Sequence, residues 1–221
     1  MQKLIVLNHK MNLEYDQVYD YISKLNEVDT SNNIVVLPSD IYLENFISHS
    51  SWGVGAQDVS DKLDGNYTGE ISTIQLKSMG IEYALIGHYD RRKYFREKDV
   101  LINKKLNACL DSNIMPIVCF GETGNIDDIK SSLDTLLKDV DNIHFIIFAY
   151  QPINVSDTNN IDLIYDYLYD KYKVIPNIIY GGSINNKNIS DIMKLEKVNG
   201  VLIGKASSDI DKIIKVINNI K

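Results

Sequence analysis

Short runs of apolar, largely β-branched residues recur along the chain, and the segments between them carry apolar residues at helical spacing. The runs predict eight strands, at residues 4–7, 34–37, 52–56, 83–86, 115–119, 145–149, 177–180 and 200–203. Between them, Ile126, Ile129, Leu133, Leu136, Leu137 and Val140 mark one face of a helix. Ile161, Ile164, Leu168 and Tyr172 mark a second, and Ile210, Ile213, Ile214 and Ile217 a last one. Strands that are apolar throughout, joined by crossover helices, point to a parallel sheet covered by helices. Eight strand–helix units in 221 residues average roughly 28 residues each, enough for a (β/α)8 barrel in the α/β class. A doubly wound open sheet has the same periodicity, since period alone does not show closure. No linker, low-complexity stretch or close internal repeat divides the chain, so one domain over residues 1–221 is expected.

Composition narrows the class without changing that picture. Forty-four per cent of residues are hydrophobic and 24% charged, as in an ordinary globular protein. Twenty-three Lys and Arg against 30 Asp and Glu give a formal charge of −7, and no basic cluster offsets it. Such a surface repels phosphate backbones, which argues against nucleic acid as a partner. Two cysteines, Cys109 and Cys119, are too few for a disulfide framework or a structural zinc site, and they fit a reducing cytoplasm. The apolar run at residues 4–7 is too short for a signal peptide, and no run is long enough to cross a bilayer, so no membrane partner is expected.

In a (β/α)8 barrel the chemistry sits at the C-terminal ends of the strands, and phosphate often binds at the loops after strands seven and eight. The residues that follow the predicted strands are Asn8 and Lys10, Gln57, His88, Gly121 and Glu122, Gln151, Gly181-Gly182-Ser183, and Gly204-Lys205. Gly181-Gly182-Ser183 leads into a helix expected to begin near Asn186. Two glycines let a ligand approach backbone N–H groups, and Ser183 adds a hydroxyl. Taken alone the triplet is a tight turn. Gly204 at the same rim favours an anion site. A solitary Lys10 reads as a surface charge and a solitary His88 as structural, but they come from different strands and reach one rim.

Several motifs together resemble those of the triosephosphate isomerase family. They are Asn8-His9-Lys10-Met11-Asn12, Gly55-Ala56-Gln57, Tyr67-Thr68-Gly69-Glu70-Ile71-Ser72, Ile86-Gly87-His88 and Arg91-Arg92. Cys119-Phe120-Gly121-Glu122, Ala149-Tyr150, Tyr180-Gly181-Gly182-Ser183 and Gly200-Val201-Leu202-Ile203-Gly204 follow in the family's order and span nearly all of the chain. The resemblance implies a homodimer in which the loop 64–70 reaches the partner's site, with Thr68 and Glu70 in that loop. It implies a proton moved between adjacent carbons of a small phosphorylated three-carbon sugar, with no metal and no organic cofactor. Lys10 becomes the cation beside the developing enediolate, Asn8 a polar contact, and His88 the neutral imidazole that polarises the carbonyl, a role for which this family is a known example. Gly182, Ser183, Gly204 and Lys205 would hold the phosphate, while Asp90, Arg91 and Glu122 stand behind the residues that touch substrate.

The departures concentrate where the family's proton transfer occurs. The family has Ala-Tyr-Glu-Pro after strand six, whereas this chain reads Ala149-Tyr150-Gln151-Pro152. The amide of Gln151 cannot accept a proton from carbon, and a general base contributes on the order of 10²–10⁴ in rate. Glu122 is the candidate replacement. The segment 152–159 lacks the family's Gly-Thr-Gly-like stretch and places Asp157 where a glycine would fall, although hinges need not be glycine. Tyr89 stands in place of a small residue, Asp90 is one methylene shorter than the family's glutamate, and Lys205 replaces a second glycine. The stretch from Thr123 to Phe145 is short, which trims the fifth helical layer. Three functions follow: a triosephosphate isomerase with severely impaired activity; a non-catalytic relative that binds triose phosphate, another anion or a protein; or another sugar-phosphate reaction on the same barrel.

Overall fold

The computed structural model describes residues 2–152 and 158–220. Eight parallel strands close into a barrel in sequence order. They are β1 (Leu4–Asn8), β2 (Asn33–Leu37), β3 (Gly53–Ala56), β4 (Tyr83–Ile86), β5 (Met115–Phe120), β6 (Ile147–Tyr150), β7 (Asn177–Tyr180) and β8 (Gly200–Ile203). The described helices are α1 (Tyr15–Asn26), α2 (Leu43–His49), α3 (Thr73–Ser78), α4 (Tyr89–Phe95), α5 (Asp99–Asp111), α6 (Ile126–Leu136), α7 (Ile161–Tyr172), α8 (Ile189–Met193) and α9 (Ile210–Ile217). Closure, which periodicity left open, is shown by β1 pairing on both sides, from Leu4↔Asn33 to Asn8↔Leu37 and from Leu4↔Gly200 to Leu7↔Ile203.

The strands are apolar over most of their length because both of their faces are buried. Val6, Val35, Leu85, Ile117, Ile179 and Leu202 fill the barrel interior, whereas their neighbours Ile5, Leu7, Val36, Val118 and Ile178 pack outward under the helices. Each such side chain contributes roughly 1.5–3 kcal/mol when fully buried. At the β1–β8 seam the backbones are too close for a side chain at Gly200, where a Cβ would overlap the Leu4 carbonyl. Above the seam the Ser207 hydroxyl donates to the Asn8 carbonyl at 2.6 Å, and the Tyr21 hydroxyl donates to the Ser207 carbonyl at 2.6 Å.

Several strand ends shift by a residue from the sequence expectation, and three boundaries differ for a visible physical reason. Phe145 does not begin β6: residues Ile143–Phe145 form a 3-10 turn, and Phe145 is half exposed. The helix after Gly181-Gly182-Ser183 begins at Ile189, because Asn185 and Asn188 hydrogen-bond the intervening backbone into a turn. The helix at 126 ends at Leu136, so Leu137 and Val140 join the core from the coil beyond it. The Asp134 carboxylate, which accepts from the Tyr172 hydroxyl at 2.9 Å and also from the Tyr167 hydroxyl, fastens α6 to α7. Among the described residues no helix is long and apolar enough to cross a membrane.

Candidate active site

Residues from six strand ends converge at the C-terminal rim. β1 ends at the buried Asn8, whose Oδ1 accepts from the Lys10 N–H at 3.1 Å. That contact turns the chain sharply and leaves Lys10 at φ 53°, a conformation costly for a residue with a Cβ. Gln57, after β3, holds the turn by donating to the Lys10 carbonyl at 2.9 Å and to the Leu37 carbonyl at 3.0 Å. Lys10 Nζ then lies 2.8 Å from Asp90 Oδ2, so the shorter carboxylate does reach its partner. Burial works to raise the Asp90 pKa, but its hydrogen bond with Lys10 and the charges of His88 and Lys10 leave it below the usual carboxylate range.

His88 caps α4. Its Nδ1 accepts from the Asp90 N–H at 3.0 Å, which leaves the proton of the neutral ring on Nε2. Burial, reinforced by the Lys10 charge and opposed by Asp90, pushes its pKa down to about 4. At neutral pH the ring is therefore an uncharged N–H donor. Gln151 follows β6 beside it. The Gln151 Oε1 accepts from the Tyr89 N–H at 3.1 Å, and its Nε2 has no acceptor among the described residues. Tyr89 is partly exposed, with its ring 5.4 Å from Lys93 Nζ.

Glu122, after β5, is 2.9 Å from Arg92 Nε. Arg92 is itself held by the Gly87 carbonyl at 2.8 Å, the Cys119 carbonyl at 3.1 Å and Asp99 at 2.6 Å. Burial raises the Glu122 pKa, and Arg92 opposes the rise. At the opposite side stand Gly182 and Ser183 after β7, and Gly204 and Lys205 after β8. A Cβ on Gly182 would overlap the Tyr180 hydroxyl, so only glycine fits there. Lys205 has no ion-pair partner among the described residues, whereas Lys212, in the first turn of α9, lies 2.6 Å from Asp209.

Lys10, His88, Asp90, Glu122, Gln151, Gly182, Ser183, Gly204 and Lys205 all line one cleft of about 720 Å³. Asn8 and Arg91 do not. Asn8 lies beneath the cleft, and Arg91 joins a buried ion network in which it meets Asp58 at 2.8 Å and Glu97 at 2.7 Å. Lys105 completes that network at 2.7 Å from Asp58 and 2.8 Å from Glu97. Thr68 and Glu70 are exposed and lie away from the cleft. Asp157 falls outside the described residues. Sequence reasoning missed Lys212, which also lines the cleft; its place one turn beyond the loop after β8 is the signal that could have found it. It also missed the Tyr89 N–H as the partner of Gln151, a contact that no residue type announces. Among the described residues, no three His, Cys, Asp or Glu side chains gather as a metal-holding group.

The model of the triosephosphate isomerase family matches residues 3–220. A triosephosphate isomerase of Francisella tularensis subsp. holarctica is 35% identical, over 99% of this chain and 97% of that protein. The triosephosphate isomerases of Buchnera aphidicola subsp. Baizongia pistaciae and Endomicrobium trichonymphae are each 32% identical, over 99% and 97% of this chain and 99% and 97% of their own lengths. The Francisella alignment runs over 248 positions against 221 residues here, so at least 27 positions have no counterpart in this chain. With the closed barrel and the motifs at its strand ends, these matches place the chain in the triosephosphate isomerase family.

Proposed function

We propose that this chain keeps the triose-phosphate-binding frame of its family but has lost most of its ability to interconvert dihydroxyacetone phosphate and glyceraldehyde 3-phosphate. Lys10 and the Nε2–H of His88 would polarise the substrate carbonyl, and Gly182, Ser183, Gly204 and Lys205 would hold its phosphate. The observation that carries the reading is the Gln151 amide, fixed by the Tyr89 N–H at 3.1 Å on the cleft wall beside His88. An amide in that place offers hydrogen-bond donors and no base. The two carboxylates that line the cleft among the described residues are already engaged, Asp90 by Lys10 and Glu122 by Arg92. A base must come within hydrogen-bond reach of the carbon proton, and for Glu122 that means leaving a part-buried guanidinium.

The test is a coupled isomerase assay on the purified chain beside its Gln151→Glu and Glu122→Gln variants. The expected result is a barely detectable rate that rises at least about 10²-fold in Gln151→Glu and does not depend on Glu122. Vigorous turnover by the unmodified chain that Glu122→Gln abolishes would overturn the reading.

Assembly belongs to the same proposal. Thr68 and Glu70 sit on an exposed loop, and Met11 and Phe95, 94% and 65% exposed, offer apolar surface of the kind that a second copy covers. Both cysteines are free and buried, which supports a cytoplasmic location. A binding role without turnover predicts that triose phosphate raises the melting temperature of the inactive chain. Failure of every phosphorylated compound to do so would favour a protein-interaction role.

A further inference from the structure

We propose that the face shared by α1 and α2, on the outside of the barrel and away from the cleft, binds a proline-rich segment of another protein with basic residues at its ends. The first support is a row of four rings. Tyr15 and Tyr19 lie one helical turn apart on α1 and are 59% and 43% exposed. Their centroids are 6.1 Å apart. Tyr42, just before α2, stands 6.4 Å from Tyr15, and His49, in the last turn of α2, stands 5.4 Å from Tyr19. The buried faces of the two helices are supplied by Val18, Tyr21, Ile22 and Leu25 and by Leu43 and Phe46. Tyr15, Tyr19 and His49 are therefore surplus to the packing of the fold.

The angles between the rings favour proline over a flat ligand. Tyr15 meets Tyr19 at 87° and Tyr19 meets His49 at 84°, with Tyr42 tilted 45° from Tyr15. Such a row presents notches between upright rings. A stacked sugar needs one flat plate, whereas a pyrrolidine ring packs its methylenes against both walls of a notch. A polyproline helix rises about 3.1 Å per residue, so about six residues run the length of the row. Its prolines have no N–H and present only carbonyls, which ask for donors. The Tyr19 hydroxyl accepts from Asn45 Nδ2 at 2.9 Å, which leaves its own proton to give. The row is also held in place. Asn26 donates to the His49 carbonyl at 2.7 Å and accepts from the Ser51 N–H at 2.8 Å, which clamps the end of α1 to the end of α2. A fixed row and a ligand already extended both lose little freedom on binding.

Charge selects the flanks of the segment. Residues 14–49 carry seven carboxylates and one lysine, Lys24, which Asp20 holds at 2.8 Å. Asp16 follows Tyr15, Asp20 follows Tyr19 and Glu44 opens α2, and all three are exposed. Arg or Lys at the ends of the bound segment complements that field.

The experiment titrates the full chain into labelled synthetic peptides and reads fluorescence anisotropy at neutral pH. The probe is a run of six prolines with an arginine at each end. One comparison peptide has glutamates at the ends, and another has glycine and serine in place of the prolines. The expected result is that the arginine-flanked proline peptide binds at least about tenfold more tightly than either. Tyr15→Ala and Tyr19→Ala should each weaken it by about tenfold, with the melting temperature read alongside to show that the variants fold. Tyr15→Trp, which keeps an aromatic wall, should retain binding. Absence of binding overturns the proposal. So does equal binding of the glycine–serine peptide, which would make charge alone responsible, or an affinity that survives both alanine substitutions. Two further results overturn it by naming another occupant. Tighter binding of xylohexaose would assign the row to a polysaccharide. Loss of a larger assembly in Tyr19→Ala, read by analytical ultracentrifugation, would assign it to a second copy of this chain.

Discussion

The two sides of the cleft have changed to different degrees. On the β1–β4 side, Lys10, His88 and Asp90 form a connected arrangement: an ion pair at 2.8 Å, an imidazole with its tautomer fixed by a backbone N–H, and a carboxylate that reaches despite its missing methylene. On the β6–β8 side the same barrel carries an amide where the family has its base and a lysine where it has a glycine. The difference teaches that a strand end fixes where a side chain stands, and not what that side chain can do. Asp90, one methylene shorter, still meets Lys10 at 2.8 Å. On the proposed function Gln for Glu is different, because proton transfer depends on the ionised group itself.

The largest expected effect tests whether the kept side is competent. In the Gln151→Glu background, a further His88→Asn substitution should remove most of the recovered rate, about 10²-fold or more, in a steady-state isomerase assay. If it does not, the recovered rate does not run through the preserved side. Next in size is a contrast in stability. Lys105→Met takes the ammonium from a buried network and leaves Asp58 and Glu97 with only Arg91. It should cost about 3–5 kcal/mol in denaturant unfolding. Asp90→Asn, at an ion pair whose side chains are about a third exposed, should cost under about 1 kcal/mol. Similar losses for the two would mean that the rim pair is structural.

The third effect concerns the two histidines of the rim. His9 is buried with both ring nitrogens unpartnered among the described residues and meets Tyr21 edge-on at 4.5 Å, and burial pushes its pKa down to about 3 from an ordinary 6.5. Between those two values the unfolded chain carries a proton on this ring that the folded chain does not. Stability is therefore full above pH 6.5 and falls with acid, by about 1.4 kcal/mol per pH unit from this group. His9→Phe should flatten that slope in urea unfolding at pH 4–6 and leave stability at pH 7.5 nearly unchanged. An unchanged acid slope would assign it to His88 and the carboxylates.

All eight strands were legible because a barrel buries both strand faces, which makes the body of each an apolar run. The start of β6 was not, since Phe145 is as apolar as a strand residue yet faces outward from a 3-10 turn. Nor was the start of the helix after β7, where Asn185 and Asn188 bind the backbone more strongly than helical propensity starts a turn. At the site, residues next to strand ends were placed by the fold itself. Arg91 was legible as a charge near the site and illegible as part of a buried network, because its partner Asp58 comes from a distant part of the sequence. Burial of His9 was equally hidden: an imidazole between Asn8 and Lys10 reads as polar until Tyr21 and Phe46 are packed against it.

The seam between β1 and β8 has a consequence for biosynthesis. The Ser207 hydroxyl and the Asn8 carbonyl that it meets are 199 residues apart in the chain, nearly its full length. A ribosome delivers Lys10 early and Gly204 late. Until β8 emerges the barrel cannot close, and any sheet formed by the earlier strands leaves β1 and β7 as unpaired edges, the kind of surface on which strands from other chains can add. The cleft does not yet exist at that stage, so no ligand can steady the unfinished protein. Only the completed barrel can be stabilised by what it binds.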